Sequence, residues 1–137
     1  MVRNLIFCCS DERGFGYVST RSSSVSPLPE CKRVLDVGII LDSSGSVGSA
    51  NYFMAKEFLI KLVGKMDVAN GKTHVGVIHY NHEPYLDWDF NSYTAKNAYA
   101  LMTAIQELPY KTGGTRTDRA LEMASDKMFN TDRKSVV

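Results

Sequence analysis

The sequence has no excess of charge of either sign and no long hydrophobic run. Lysine and arginine total 16 and aspartate and glutamate total 15, so the 137 residues carry a formal net charge of +1. That balance gives no reason to expect a nucleic acid or an anionic membrane as a partner. The longest apolar run is too short to span a bilayer, so no membrane insertion is predicted. With 44% apolar and 23% charged residues, the composition is that of a folded globular protein.

Cysteine is also scarce, and Cys8, Cys9 and Cys31 all lie near the N-terminus. Two adjacent cysteines without further ligands do not make a metal site, so Cys8 and Cys9 are interpreted as incidental thiols. Cys31 is either free or paired with a cysteine outside this chain. The apolar stretch after Arg3 spans only about five residues, whereas a signal peptide needs about 7–15. The sequence therefore contains no convincing secretion signal.

The chain divides into a head, residues 1–33, and a body, residues 34–137. Serine and proline dominate residues 19–29, which is typical of a linker, so we expect a head with little order. The body has no cysteine, and short β-branched runs alternate there with helical patterns. The body is therefore expected to hold the folded domain.

The patterning of the body predicts an α/β fold. The predicted elements are strands over 34–41, 73–80 and 85–90, helices over about 50–66, 93–107 and 116–129, and the start of a further strand at 134–137. The first strand–helix–strand unit requires parallel strands, whereas the turn at 81–84 adds an antiparallel edge strand. We therefore predict a doubly wound, Rossmann-like, mostly parallel sheet with one antiparallel edge strand.

Several side chains can be assigned within these elements. The spacing of apolar residues puts Phe53 in the buried stripe of the first helix; the remaining members of the stripe are Phe58, Leu59, Leu62, Val63 and Met66. Residues 49–51 are expected to cap that helix. Trp88 and Phe90 are expected to share one face of their strand, and His79 and His82 are interpreted as solvated residues beside the turn.

A loop of alternating oxygen-bearing side chains directly follows the first buried strand. Asp42, Ser44 and Ser46 are spaced by two residues, so in extended backbone they share one side. The loop at 109–115 is expected at the same end of the sheet, where open α/β sheets bind ligands, and it would bring Thr115 or Thr117. These oxygen ligands suit Mg²⁺ better than Zn²⁺. The alternative interpretation is a Ser/Gly turn that caps the next helix.

Two enzyme classes use a comparable loop, and the sequence argues against both. Phosphatases of the haloacid dehalogenase type need a second aspartate two residues after the nucleophile, where this chain has Ser44. A nucleophile elbow requires Gly-x-Ser-x-Gly, and residues 44–48 lack the first glycine. No histidine follows His82 to complete a triad. We therefore predict that the chain is not an enzyme.

The loop Asp-Ser-Ser-Gly-Ser at 42–46 and the segment Gly-Gly-Thr-Arg-Thr-Asp-Arg-Ala-Leu at 113–121 resemble two motifs of the von Willebrand factor A domain family. These are Asp-x-Ser-x-Ser and Gly-Gly-Thr-x-Thr-x-x-Ala-Leu. The two preceding β-branched strands also fit, so the resemblance covers 34–137. A cysteine just before the first strand is similar to extracellular-matrix members such as matrilins and A-domain collagens, which implies a secreted protein.

The resemblance implies a metal-ion-dependent adhesion site that binds Mg²⁺ or Mn²⁺. The ligands carried over from the two motifs are Asp42, Ser44, Ser46 and Thr115. A glutamate or aspartate of a partner protein, such as collagen or another matrix protein, would complete the coordination. The candidates for further contacts with the partner around the rim are Ser43, Val47, Arg116 and Asp118.

The family also has an acidic residue at the top of the strand that begins here near Lys134, and the sequence stops at Val137. The resemblance therefore implies a partial domain, with strands 85–90, 73–80, 34–41 and 134–137 in that spatial order. We expect such a chain to be unstable alone and to bind Mg²⁺ weakly. Two other interpretations stay open: a structural or assembly A domain with an empty or weak metal site, and an intracellular, chaperone-like A-domain component.

Overall fold

The computed structural model describes residues 5–11, 14–19 and 35–129, the first two ranges by their backbone. The strands are β1 (Leu5–Asp11), β2 (Gly14–Ser19), β3 (Leu35–Asp42), β4 (Thr73–Tyr80) and β5 (Pro84–Trp88). The helices are α1 (Ser49–Gly64), α2 (Tyr93–Lys96), α3 (Ala98–Gln106) and α4 (Thr117–Met123), and a π-helical turn over Ala124–Met128 continues α4. No helix of these ranges is long and apolar enough to cross a membrane.

The strands form one sheet in the order β2-β1-β3-β4-β5. β3 and β4 are parallel along their whole length, from Leu35 opposite Thr73 to Asp42 opposite Tyr80. β5 pairs antiparallel with β4 at the edge of the sheet. The predicted α/β fold class is confirmed, including the parallel pair joined by a helix and the antiparallel edge strand.

Strands β3 and β4 are buried on both faces of the sheet, which explains their nearly continuous apolar sequences. Because side chains alternate along a strand, Ile39 and Val77 pack in a core with α1 and α3. Ile40 and Ile78 point the other way and pack in a second core beneath α4. Helices on both faces of the sheet give the doubly wound arrangement, with both cores anchored on β3 and β4.

Two strands of the head were not predicted. β1 pairs antiparallel with β2, and its other edge pairs antiparallel with β3, from Leu5 opposite Leu41 to Ser10 opposite Asp36. The expectation of little order is therefore wrong for residues 5–11 and 14–19. These segments are rich in residue types that favour strands, a signal that the serine-rich stretch after them obscured. Cys31 and the strand predicted at 134–137 lie outside the described residues.

The stripe predicted for the first helix is largely buried, with Leu59, Leu62 and Val63 in the core and Phe58 and Met66 packed against it. Tyr52, together with Ala55, Leu59, Leu62 and Val63, faces the core. Phe53 is 55% exposed, so its assignment to the buried stripe is wrong. The N-cap is Gly48, which makes no side-chain cap, and Asn51 donates from Nδ2 to the Val47 carbonyl oxygen at 2.8 Å. Apolar residues lie on more than one face of this helix, so its hydrophobic pattern alone does not exclude Phe53 from the buried stripe.

The helix predicted over 93–107 is interrupted at Asn97. The backbone of Asn97 is extended (φ −121°, ψ 116°), and its side chain accepts a hydrogen bond from the Ala100 amide, which caps α3. Asparagine competes with helical backbone bonding in this way and so favours helix starts over helix interiors. The single predicted helix is therefore two helices, α2 and α3.

Trp88 and Phe90 do not share a face, which corrects a second expectation. Trp88 packs against the core under α1 and α3, whereas Phe90 lies in the core beneath α4. The strand ends at Trp88, and the chain then turns, with Asp89 accepting hydrogen bonds from the amides of Asn91 and Ser92. The two residues are therefore separated by the end of the strand, and period-2 alternation no longer applies.

Candidate metal site at the carboxyl end of the sheet

The first loop of the site begins where β3 ends. The Asp42 side chain is buried, and its Oδ1 atom accepts a hydrogen bond from the Ser44 amide at 2.8 Å. The Oγ atoms of Ser44 and Ser46 are 3.4 Å apart. The two hydroxyls of this loop are therefore close together, and the Asp42 carboxylate is hydrogen-bonded to the main chain of the same loop.

The second loop, residues 109–116, lies directly against the first. The Gly45 amide donates to the Gly113 carbonyl oxygen at 2.9 Å. The hydroxyl of Tyr110 donates to the Ser44 carbonyl oxygen and accepts from the Gly48 amide, both at 3.1 Å. The two loops therefore lie at one end of the sheet, as expected, and they are joined by one main-chain hydrogen bond and by the Tyr110 hydroxyl, which belongs to neither motif.

The two threonines of the second motif occupy different environments. Thr115 is exposed at the surface. Thr117 is partly buried, and its Oγ1 atom lies 2.9 Å from the hydroxyl of Tyr80. The hydroxyl of Thr117 is therefore engaged in the interior, which favours Thr115 as the threonine that faces a ligand.

Tyr80 is a member of the site that the sequence analysis missed. Burial raises the pKa of its hydroxyl, and the neighbouring Asp42 carboxylate raises it further, while the hydrogen bond with Thr117 acts in the opposite direction. Tyr80 therefore stays a neutral phenol beside Asp42. The signal that could have found it is the parallel register, since Tyr80 is the residue opposite Asp42 on the neighbouring strand.

The four residues predicted at the rim fall into two groups. Ser43 and Val47 are buried, and Ser43 donates from Oγ to the Tyr80 carbonyl oxygen at 2.9 Å. Neither side chain is at the surface, so the structure corrects their assignment as partner contacts. Arg116 and Asp118 are exposed at the start of α4, as predicted.

Arg116 and Asp118 form a two-point ion pair on this rim. Arg116 donates from Nε to Oδ1 of Asp118 at 2.9 Å and from Nη2 to Oδ2 at 2.7 Å. The hydrogen bonds from Arg116 lower the pKa of the Asp118 carboxyl to about 2, and the same contacts raise the pKa of Arg116. Asp118 therefore carries its negative charge at any physiological pH.

His79 is the second correction near the site, because it is buried rather than solvated. Its Nδ1 atom lies 2.7 Å and 2.8 Å from the two carboxylate oxygens of Asp87, and its ring stacks on Tyr85 with centroids 4.9 Å apart. Position 79 lies on the same face of β4 as the core residues Val75 and Val77, so the alternation of side chains along the strand predicts that His79 is buried. His79 is thus a core residue.

The residues of the two loops fit a hard divalent cation. Oxygens at neighbouring corners of a Mg²⁺ octahedron lie about 3 Å apart, which is close to the separation of the Ser44 and Ser46 hydroxyls. Within the described ranges, no group of three or more histidine, cysteine, aspartate or glutamate residues could hold a metal. The candidate donors are one carboxylate and several hydroxyls, a set that suits Mg²⁺ or Mn²⁺ better than the nitrogen and sulfur ligands of a typical zinc site would.

Comparison with known proteins identifies the family of the chain. The model of the von Willebrand factor type A domain matches residues 36–136. The chain is 29% identical to human vitrin over 99 residues, 34% identical to rat von Willebrand factor over 107 and 36% identical to the human collagen alpha-6(VI) chain over 112. These matches cover 72%, 77% and 80% of the chain but only 14%, 24% and 5% of the relatives, so the chain spans a small part of each.

Among solved structures, the fold is similar to proximal thread matrix protein 1 from the mussel byssus. One crystal form gives a TM-score of 0.67 at 23% identity and covers 74% of this chain and 27% of that protein. A second structure, described as having a zinc-occupied MIDAS motif, gives 0.60 at 19% identity over 69% of this chain and 24% of that protein. At these identities the likeness concerns the fold alone. The family model matches most of this chain, and collagen chains are among the relatives. The chain therefore belongs to the von Willebrand factor type A domain family and is of the extracellular-matrix type.

Proposed function

We propose that this chain is a cation-dependent protein-binding module of the extracellular matrix and not an enzyme. Asp42, Ser44, Ser46 and Thr115 hold a Mg²⁺ or Mn²⁺ ion, and the module binds a glutamate or aspartate side chain of a partner protein. When bound, the cation supplies an electrophilic centre for that carboxylate.

The observation that carries the proposal is the junction of the two loops. The Gly45–Gly113 hydrogen bond at 2.9 Å joins the loop of Ser44 and Ser46 to the loop of Thr115. Oxygens from distant parts of the sequence are thereby brought to one end of the sheet, which is the end where open α/β sheets bind ligands.

The charge of the loops also favours an acidic partner. Asp42 is the one carboxylate of the proposed ligand set, and the Ser44 amide already satisfies one of its oxygens. A single negative charge leaves a divalent cation with net positive charge, which attracts an external carboxylate. The neighbouring Asp118 carboxylate is paired with Arg116, so it does not compete for the cation.

Titration calorimetry with MnCl₂ tests this proposal on the 137-residue chain, at Mn²⁺ concentrations high enough to detect the weak binding expected of it. Asp42→Ala is expected to abolish measurable Mn²⁺ binding, because it removes the charged ligand. Asp126→Ala, which removes an exposed carboxylate from the π-helical turn, is the matched control and is expected to leave the affinity unchanged. Equal Mn²⁺ affinity in the parent chain and Asp42→Ala would contradict the proposal.

Binding to immobilised collagen in Mg²⁺, and again after removal of the cation with EDTA, separates this proposal from the structural or assembly interpretation. Capture that is lost in EDTA and in Asp42→Ala supports the adhesion module. Capture unaffected by EDTA would instead indicate a structural or assembly domain whose metal site is empty or weak. A parallel titration with ZnCl₂ is informative, because the mussel structure is described with zinc in its MIDAS motif.

A further inference from the structure

We propose that Asn81 is a positioning residue that holds the second loop, and with it Thr115, in place against the first loop. The inference rests on the proposed function, since it assigns Asn81 a role in the same cation site. Asn81 is the first residue after β4, and its side chain is 3% exposed. It lies in the turn between β4 and β5, a part of the sequence that neither motif includes.

Asn81 binds the second loop at both ends. Its Nδ2 atom donates to the carbonyl oxygens of Lys111 and Thr112, both at 2.9 Å. Its main-chain oxygen accepts from the Arg116 amide at 2.8 Å. Thr115 lies between these attachment points, so a single residue sets the path of the segment that carries it.

The side-chain amide of Asn81 is itself held in place by the turn. Its Oδ1 atom accepts from the main-chain amide of Glu83 at 3.0 Å. The main-chain amide of Asn81 donates to the Glu83 carbonyl oxygen at 3.0 Å. With its two Nδ2 hydrogens on two carbonyl oxygens, every polar group of Asn81 has a partner in this arrangement. Only one orientation of the side-chain amide satisfies these contacts, because a flipped amide would set its oxygen against two carbonyl oxygens.

This pattern requires the chemistry of an asparagine. Aspartate has the same size, but its carboxylate cannot donate to the carbonyl oxygens of Lys111 and Thr112. Serine offers one donor and is too short to replace both bonds. The loop held by Asn81 also contains Gly113, whose carbonyl oxygen accepts from Gly45, so the constraint extends to the first loop through one further hydrogen bond.

Loss of the Asn81 side chain should displace the loop more than it destabilises the fold. Lys111 and Thr112 are both exposed, so water can replace the lost donors on their carbonyl oxygens. Cation affinity and thermal stability should therefore respond differently. Loss of a residue with a purely structural role would lower cation affinity and thermal stability in proportion.

Mn²⁺ titration of Asn81→Asp and Asn81→Ala, together with amide hydrogen exchange over residues 111–116, tests the inference. We expect about a tenfold loss of Mn²⁺ affinity, the lower end of what mutation of outer-shell partners causes, and faster exchange of this segment. The matched control is Trp88→Phe, which removes the hydrogen bond from Nε1 to the Val75 carbonyl oxygen at the far end of the same strand pair. It should lower the melting temperature without changing Mn²⁺ affinity.

Unchanged Mn²⁺ affinity in both Asn81 variants, while Asp42→Ala loses binding, would overturn this inference and leave the proposed function intact. An equal loss of affinity in Trp88→Phe would also overturn it, because general destabilisation would then explain the effect. If Asp42→Ala binds Mn²⁺ as the parent does, the proposed function fails. The exchange of residues 111–116 then decides the positioning role by itself, and unchanged exchange overturns it.

Discussion

The hydroxyl of Tyr80 lies 2.9 Å from Oγ1 of Thr117, and this contact joins the end of β4 to the first residue of α4. The Asp42 carboxylate acts on the same hydroxyl and raises its pKa. One nearly buried phenol therefore connects the acidic residue of the first loop with the threonine that follows the second loop. Its neighbour Asn81 fixes the second loop itself, so two consecutive residues at the end of β4 organise the site.

Tyr80→Phe should lower the free energy of unfolding by about 0.5–1.5 kcal/mol, the usual contribution of one internal hydrogen bond. The aromatic ring stays in its core, so the loss reports on the hydroxyl alone. Urea unfolding measures the effect. Tyr99→Phe removes the hydroxyl of a side chain that is 82% exposed and should change nothing measurable. Equal stability of the two variants would show that the contact with Thr117 contributes little.

The rotation of α1 can be tested by truncating one residue on each side of the helix. Leu59→Ala should cost about 2–5 kcal/mol of unfolding free energy, because the side chain is fully buried between α1 and the sheet. Phe53→Ala should cost less than about 0.5 kcal/mol, because Phe53 lies outward and exposed. The reverse order of the two losses would contradict this placement of the two side chains.

Gly113→Ala should disturb the second loop. The φ angle of Gly113 is +118°, which L-residues rarely adopt, and a Cβ atom there would lie 3.1 Å from Nδ1 of His82. We expect weaker Mn²⁺ binding as well as lower stability. Gly71→Ala is the matched control, because φ is +73° there, no atom lies within 4 Å of the added carbon, and the residue precedes β4 rather than lying in either loop. It should lower stability through backbone strain and leave Mn²⁺ affinity unchanged.

The ion pair between Arg116 and Asp118 predicts an unusually acidic carboxyl. The pKa of Asp118 in the folded chain is about 2, below the value of about 3.9 for a free aspartate. The pairing is therefore fully present above about pH 4 and is lost as the pH falls towards 2. Carboxyl ¹³C chemical shifts across this range measure the midpoint. Arg116→Gln should raise the midpoint towards about 3.9, and an unchanged midpoint would contradict the assignment.

The central strands and the first loop could be predicted from sequence because their signals are local. β3 and β4 are short apolar, β-branched runs, and the Asp42 loop directly follows such a run. The alternation of Ser44 and Ser46 is also contained within a few residues. In each case neighbours in the chain determine the structure, so the pattern alone was sufficient.

The remaining features depend on contacts between distant residues. Tyr80 and Asn81 act on residues about thirty or more positions later in the chain, and no periodicity indicates such partners. Phe53 was placed in the core because α1 has apolar residues on several faces, and only packing against the sheet selects one of them. His79 is the exception, since alternation with Val75 and Val77 would have placed it correctly.

The pairing of β1 along β3 has a consequence for the assembly of the sheet. A β-strand has two edges for hydrogen bonding, and β3 uses one for β4 and the other for β1. The family order expected from the sequence assigns that second edge to the strand predicted at 134–137. The structure gives that edge to β1, so a strand over 134–137 could take the expected position only if the hairpin of β1 and β2 left it.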